Sequence, residues 1–265
     1  MKGLAEVERV PISRFTKSEK GSADDVVVRE FPLTIILNNQ ELVTLLCTPS
    51  HLDYLAIGFL SSEGLLKSRD EIKKKTIDEK RGIVRVETNE EAKQVGELVF
   101  KRLITSGCGR GASFYSAADV MGQKKVESKT SISATEVLEL VREFQQRSEI
   151  FRATGGVHSA ALCDTKSILI FSEDIGRHNA IDKIFGECIL NDISTDGRII
   201  ITSGRVSSEI LLKVAKKNIP LLVSKSAPTN MGVKLAVDLG VTLIGFVRGK
   251  RMNVYANDWR VISHG

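Results

Sequence analysis

Residues 198–224 read RIIITSGRVSSEILLKVAKKNIPLLVS. Two short apolar runs, Ile199-Ile200-Ile201 and Leu221-Leu222-Val223, stand on either side of a helical stretch from Ser208 to Lys217. Runs apolar on both faces are what parallel strands covered by helices on each side require, so this stretch predicts a strand, a crossover helix and a second strand. The same alternation extends outward. Upstream, His158 to Cys163 and Ile168 to Phe171 flank an Asp164-Thr165-Lys166-Ser167 turn, followed by a helix from Ala180 to Leu190. Downstream come a helix from Thr229 to Leu239, stopped by Gly240, and a strand from Thr242 to Val247. Ser133-x-x-Glu136 is a capping box, and Val137, Leu140, Val141, Phe144 and Ser148 continue one helix to about Phe151. Residues 133–265 are therefore expected to form a three-layer α/β domain.

The region before it has a different pattern. Val26 to Cys47 alternates and is interrupted by Asn38-Asn39, a hairpin signal. Thr48 then reads as the N-cap of a helix with Pro49 in its first turn; Leu52, Leu55, Ala56, Phe59 and Leu60 line one face before Gly64 ends it. A second β pair, Lys75 to Asp78 and Ile83 to Glu87, is joined by Glu79-Lys80-Arg81-Gly82, and Asn89 to Leu103 reads weakly as a helix. Thr105 to Ser116, TSGCGRGASFYS, is too polar and glycine-rich for a regular element and reads as an exposed loop. Residues 1–116 make a small α+β domain ending in that loop, and residues 117–132 a linker.

A chain of 265 residues can bury about 70 to 75% of its unfolded surface without staples. The excess of 38 Lys plus Arg over 33 Asp plus Glu gives +5, spread along the chain without the dense basic runs of a nucleic-acid tail. The polar, acidic start MKGLAEVERV and the absence of an apolar run of about 18 residues point to a cytoplasmic protein that neither crosses nor rests on a membrane. The four cysteines are far apart and have no zinc spacing, so neither a disulfide frame nor a metal site is expected.

In an open α/β sheet, ligands bind beyond the carboxyl ends of the parallel strands. The four post-strand loops here are all polar and basic: 173–179 (EDIGRHN), 203–208 (SGRVSS), 224–229 (SKSAPT) and 246–251 (FVRGKR). Three lead into helices, whose free N–H groups and positive dipole ends attract phosphate. Arg177, His178, Ser203, Arg205, Lys225, Arg248, Lys250 and Arg251 supply further polar and charged groups. Any one such loop is better read as an ordinary N-cap with solvated charges; four together favour a pocket for a pyrophosphate or nucleotide. His158, after Gly155-Gly156, is either a structural histidine or a ligand contact. Glu173, Asp174, Arg177 and His178 are either a base with its orienter or a polar helix start, and ligand binding is favoured over proton transfer because no nucleophile stands beside them.

Cys108 lies in Ser106-Gly107-Cys108-Gly109-Arg110-Gly111. Glycines on both sides provide no packing, and Lys101, Arg102 and Arg110 favour the thiolate, the form that attacks sulfur, so a reactive thiol is favoured over a surface thiol of no consequence. Cys47, Cys163 and Cys188 read as core residues.

Cys47-Thr48-Pro49 with Leu55 to Gly64, Ser106-Gly107-Cys108-Gly109, Thr154-Gly155-Gly156-Val157-His158, Glu173 to Lys183, Thr202 to Arg205 and Gly245 to Arg248 resemble the formate dehydrogenase accessory sulfurtransferase family, from about Pro32 to Tyr255. The resemblance implies a cytidine deaminase-like fold for the second domain, homodimers, and a maturation factor more than a fast enzyme. It implies that sulfur is taken from a cysteine desulfurase as a persulfide on Cys108. That sulfur passes to the molybdenum (or tungsten) bis-guanine-dinucleotide cofactor of the formate dehydrogenase catalytic subunit, bound as substrate. Phe246, Val247, Arg248, Gly249, Lys250 and Arg251 occupy the family's cofactor-binding stretch. One position departs: members of that family commonly carry C-G-x-C in the loop, and here the fourth place is Gly111. The alternative is a cofactor-binding chaperone without thiol chemistry. Hydrolytic deamination lacks its P-C-x-x-C and H-x-E segments.

Overall fold

The computed structural model describes residues 6–89, 103–104, 112–113 and 123–263. It begins with a ribbon the sequence did not reveal, β1 (Val7–Phe15) paired antiparallel with β2 (Lys20–Val28). Most of its side chains are exposed, so it lacks the apolar alternation of a half-buried strand. Val26 to Val28 belong to this ribbon, and the Asn38-Asn39 hairpin is confined to β3 (Phe31–Leu37) and β4 (Gln40–Cys47). Asn38 and Asn39 both take positive φ, 46° and 66°, the paired left-handed turn that matches strand twist. With β5 (Ile72–Asp78) and β6 (Ile83–Thr88) these strands form a sheet in the order β4-β3-β6-β5.

Helix α1 (Leu52–Ser62) lies on that sheet, its Leu52, Leu55, Ala56, Phe59 and Leu60 packed with Leu33, Ile35, Leu37, Val84 and Val86. Two expectations are corrected here. The N-cap is His51, in the left-handed region at φ 51°, and Thr48 is turned inward to side chains of the second unit. The helix is also buried on more than one face, because Ile57, Gly58, Ser61 and Ser62 are covered as well.

What covers them is α4 (Arg177–Leu190). A Cβ on Gly58 would stand 1.7 Å from the Asp182 carbonyl oxygen, and one on Gly186 would stand 1.8 Å from that of Tyr54. The two helices meet backbone to backbone, and only glycine permits that approach.

The short strands β7 (Leu103–Ile104) and β8 (Ala112–Ser113) pair antiparallel. The helix reading for Asn89 to Leu103, most of the Thr105–Ser116 loop and Cys108 itself lie outside the described residues. Strand β9 (Ile132–Ser133) leads into α2 (Ala134–Arg147) through the predicted capping box: Ser133 Oγ accepts from the Glu136 amide at 3.2 Å, and the Ser133 amide donates to Glu136 Oε2 at 2.7 Å. The helix does not run on to Phe151. Ser148, with ψ 76°, breaks it, and α3 (Glu149–Thr154) follows.

The remaining strands are β10 (His158–Cys163), β11 (Ile168–Asp174), β12 (Ile199–Thr202), β13 (Leu221–Ser224), β14 (Thr242–Arg248) and β15 (Arg251–Ala256), ordered β11-β10-β12-β13-β14-β15. The two triplets quoted at the outset pair in parallel, Ile199 with Leu221 and Ile201 with Val223. β10 is antiparallel to both neighbours, so β11, β12, β13 and β14 all point the same way. Helices α4, α5 (Ser208–Lys216) and α6 (Asn230–Leu239) cover one face of this sheet, in one core with Leu162, Ile200, Leu222 and Leu243. Helix α2 covers the other with Val137, Leu140, Val141 and Phe144 against Ala161, Ile201, Val223 and Ile244. The three layers are those expected. Strand β16 (Val261–Ile262) pairs with β9, and buried Arg260 before it donates to the carbonyls of Ser128 and Gly240.

A Gly186→Ala substitution separates two effects of opposite sign. Helix propensity favours alanine by about 1 kcal/mol, whereas overpacking typically costs about 1–3 kcal/mol and more when the obstacle is backbone. The clash should win, lowering the denaturation midpoint at unchanged m-value. A more stable variant would show that α1 and α4 do not touch there.

Candidate functional site

Because β11 to β14 share one direction, their four following loops emerge along a single edge of the sheet. β10 begins at the same edge, with His158 opposite Asp174 and Ala160 opposite Thr202. The loops are knitted laterally. His158 Nδ1 is 3.3 Å from Ser203 Oγ, which also accepts from the Ser159 amide at 3.0 Å. Ser224 Oγ donates to the Gly204 carbonyl at 2.8 Å, and the Phe246 amide donates to the Ser226 carbonyl at 3.2 Å. A Cβ on Gly204 would stand 2.9 Å from the Cβ of Arg177, so glycine there lets Arg177 lie against the loop after β12.

The sequence-predicted residues fall into two groups along this edge. Arg177, His178 and Ser203 gather around His158. Lys225, Phe246 and Arg248 gather at the far side, where Arg248 lies 5.2 Å from the ring centre of Phe246 and its charge helps hold Lys225 below the ordinary lysine range, second to burial. Phe246 takes φ 51°, a left-handed value costly for an aromatic residue, at an irregularity in the pairing of β14 with β15. Gly249, at φ 59°, and Lys250 turn the hairpin between Arg248 and Arg251, and all four are exposed. Arg205 is exposed on its loop. Val247 points the other way, buried in the core under α2.

Burial and neighbouring cations act together on both histidines of this edge. His158 is held below the ordinary histidine range by burial and then by Arg177, with Asp174 opposing. His178 is held well below it, by burial first and then by Lys213, Arg177 and His158. Glu209, in the first turn of α5, is 3.6 Å from His178 Nε2, and burial pushes its carboxyl up. Nothing in the sequence singled out Glu209, since an acidic residue in a first helical turn is ordinary.

The Glu173-to-Lys183 motif has a second role at the end of β11. Asp174 and Lys183 form an ion pair of 2.8 Å, 0% and 1% exposed, in which Thr48 participates. This is a positioning element; neither group faces the loops across the edge. The Glu173 carboxylate caps α3, accepting from the amides of Ile150 and Phe151 at 3.0 and 3.1 Å.

The three described cysteines are the core residues expected. Cys47, Cys163 and Cys188 are buried, and burial pushes each thiol up to about 12. Among the described residues no group of three or more His, Cys, Asp and Glu could hold a metal ion, and no helix is long and apolar enough to cross a membrane. A groove of about 660 Å³ lined by Asp53, Tyr54, Arg69, Lys74 and Asn191 lies at the other end of α4, away from the loops.

Residues 28–262 match the model of the FdhD/NarQ family. The chain belongs to that family. It is 46% identical over 248 residues to a protein of Bacillus subtilis named "Sulfur carrier protein FdhD", covering 94% of this chain and 95% of the relative. Relatives of the same name from Geobacillus kaustophilus, 41% identical with 99% of each chain covered, and from Staphylococcus aureus, 40% identical over 253 residues with 96% of each covered, also match. The fold is that of a crystal structure from Desulfotalea psychrophila described as a formate dehydrogenase accessory protein, with TM-score 0.81, 23% identity, and 97% of this chain and 100% of that one covered.

Two half-buried imidazoles, both held below the ordinary histidine range, carry a stability signature. A base whose folded pKa is depressed binds more protons when unfolded, so stability falls as pH drops below about 6.5 toward its folded value. The acid-side loss between about pH 6.5 and 5 should be shallower in His178→Gln than in the wild type, read from denaturant unfolding at a series of pH values. The difference isolates His178 from Glu173 and Glu209, whose raised carboxyls act in the opposite sense. Parallel curves would show that folding does not shift the protonation of His178.

Proposed function

We propose that this chain is a sulfur carrier for formate dehydrogenase maturation, using Cys108 as its persulfide residue and the basic sheet edge to hold the acceptor. The observation that carries the reading is the near full-length match to relatives named as sulfur carriers. The cysteine chemistry agrees with it. Thiolates attack sulfur, and a thiol pushed up to about 12 in the core supplies almost none near pH 7. Those properties make Cys47, Cys163 and Cys188 poor sulfur carriers, which supports the reading of Cys108 as the persulfide residue.

In the proposed reaction the Cys108 thiolate attacks the terminal sulfur of a persulfide on a cysteine desulfurase. The new bond is Cys108 S–S, the bond broken is the donor's own S–S, and the donor cysteine leaves as a thiolate. The terminal sulfur then passes to the molybdenum or tungsten bis-guanine-dinucleotide cofactor of the formate dehydrogenase catalytic subunit. With Gly111 in place of a second loop cysteine, no disulfide within the loop can expel it; release falls to reduction, to the metal-bound acceptor, or to another cysteine. The pyrophosphates of the cofactor suit the edge where Arg177 and Lys225 stand by helix starts and Arg248 on the neighbouring hairpin. This reading includes a cytidine deaminase-like second domain following a small α+β domain, a homodimer, and action in the cytoplasm.

Incubation with a cysteine desulfurase and cysteine should add the mass of one sulfur atom to the intact protein, lost on reduction and absent from Cys108→Ala. Equal labelling of that variant would overturn the assignment of Cys108. A purely cofactor-holding chaperone predicts instead that Cys108→Ala restores formate dehydrogenase activity in a deletion strain as fully as the wild type.

A further inference from the structure

His178 and Glu209 meet in an arrangement that one proton would complete. His178 Nε2 is buried without a hydrogen-bond partner, and the nearest carboxylate oxygen, Glu209 Oε2, lies 3.6 Å away, just outside bonding range. A neutral imidazole with its proton on Nδ1 offers Glu209 no donor; an imidazolium offers one aimed at the carboxylate. Among the described residues, the charged and titratable groups acting on His178 from the elements around it are Glu209 and Lys213 on α5, Arg177 on its own helix and His158 on β10. Lys213 is already engaged by Asp182 at 2.6 Å. Arg177 is the cation that faces the loop edge, across Gly204. Burial is the first cause opposing protonation of both histidines, and a ligand phosphate arriving there would offset the further opposition from Arg177, while leaving Glu209 in place to receive the new N–H.

We propose that binding of a pyrophosphate-bearing ligand at the sheet edge is coupled to uptake of a proton from solvent by His178, with Glu209 as the positioning residue that accepts its Nε2–H. The inference rests on the reading of this edge as the ligand site. The ligand class is a nucleoside diphosphate or a larger molecule containing one. The proton comes from the buffer and forms one N–H bond, with no redox change. The affinity for the anion rises as pH falls, by up to about tenfold per pH unit while His178 is neutral in the free protein.

Calorimetric titration of the full chain with GDP at about pH 7, in two buffers of different ionisation enthalpy, measures the proton directly. The wild type should show an observed binding enthalpy that differs between the buffers by the equivalent of a substantial fraction of a proton. His178→Gln and, independently, Glu209→Gln should bind GDP with that difference largely gone. Using both variants guards against one that fails to fold, and circular dichroism identifies it. Binding with the same enthalpy in both buffers, or buffer dependence undiminished in a folded variant, overturns the proton coupling while the ligand-site reading stands. No binding of GDP in either buffer overturns both.

Discussion

A lysine ammonium and an aspartate carboxylate 2.8 Å apart, with almost no solvent access, are tolerable only where every remaining proton and lone pair is used. Asp174 meets the condition. Its Oδ2 accepts from the Thr48 amide, the Thr48 hydroxyl and Lys183, and its Oδ1 accepts from the Gly176 amide and Asn179 Nδ2. Lys183 divides its donors among Asp174, Thr48 Oγ1 and the Glu173 carbonyl. Strand β4, strand β11 and helix α4 are thereby fixed to one another at a single buried point. Helix α4 presents Arg177 and His178 in its first turn, so the position of both side chains depends on this pair.

A second polar seam runs further along the same helix. Asp182 accepts from Ser62 Oγ of α1 and from Lys213 of α5, each at 2.6 Å, and Lys217 reaches Ser61 of α1. Both seams involve charges that desolvation would penalise if a partner were removed, and both join the two halves of the chain. Polar groups buried in this manner fix one docking geometry where an apolar face would accept several.

Local rules exposed much of this in the sequence. The capping box at Ser133 and Glu136, the Asn38-Asn39 turn, the stop at Gly240 and the parallel triplets are each decided by a few neighbouring residues. Long-range partners were not visible in the same way. Thr48-Pro49 has the appearance of a helix start, but the pull of Asp174, 126 residues away, turns Thr48 inward and leaves His51 to begin the helix. Ser148 continues the helical spacing of α2, yet its hydroxyl bonds Phe144 and Ser159, and the helix ends there. The ribbon of β1 and β2 hid behind polar side chains because neither strand buries a full face. At the sheet edge the basic loops could be listed from sequence, but their lateral bonding, and the place of Glu209 under His178, required the topology in which β10 runs against its neighbours.

The glycine contact between α1 and α4 bears on how far the two halves of the molecule can move against each other. Helices that interleave side chains can shear past one another by small rotamer changes, whereas helices locked through their main chains have no such compliance. At Gly58 and Gly186 two carbonyls occupy the space a methyl group would need, and the Asp174–Lys183 pair sits a short distance along the same interface. Rocking one half of the molecule over the other would part bare peptide surfaces and strand a buried charge. Within the described residues the two halves thus form a single chassis, joined through main-chain contact and a buried charge pair.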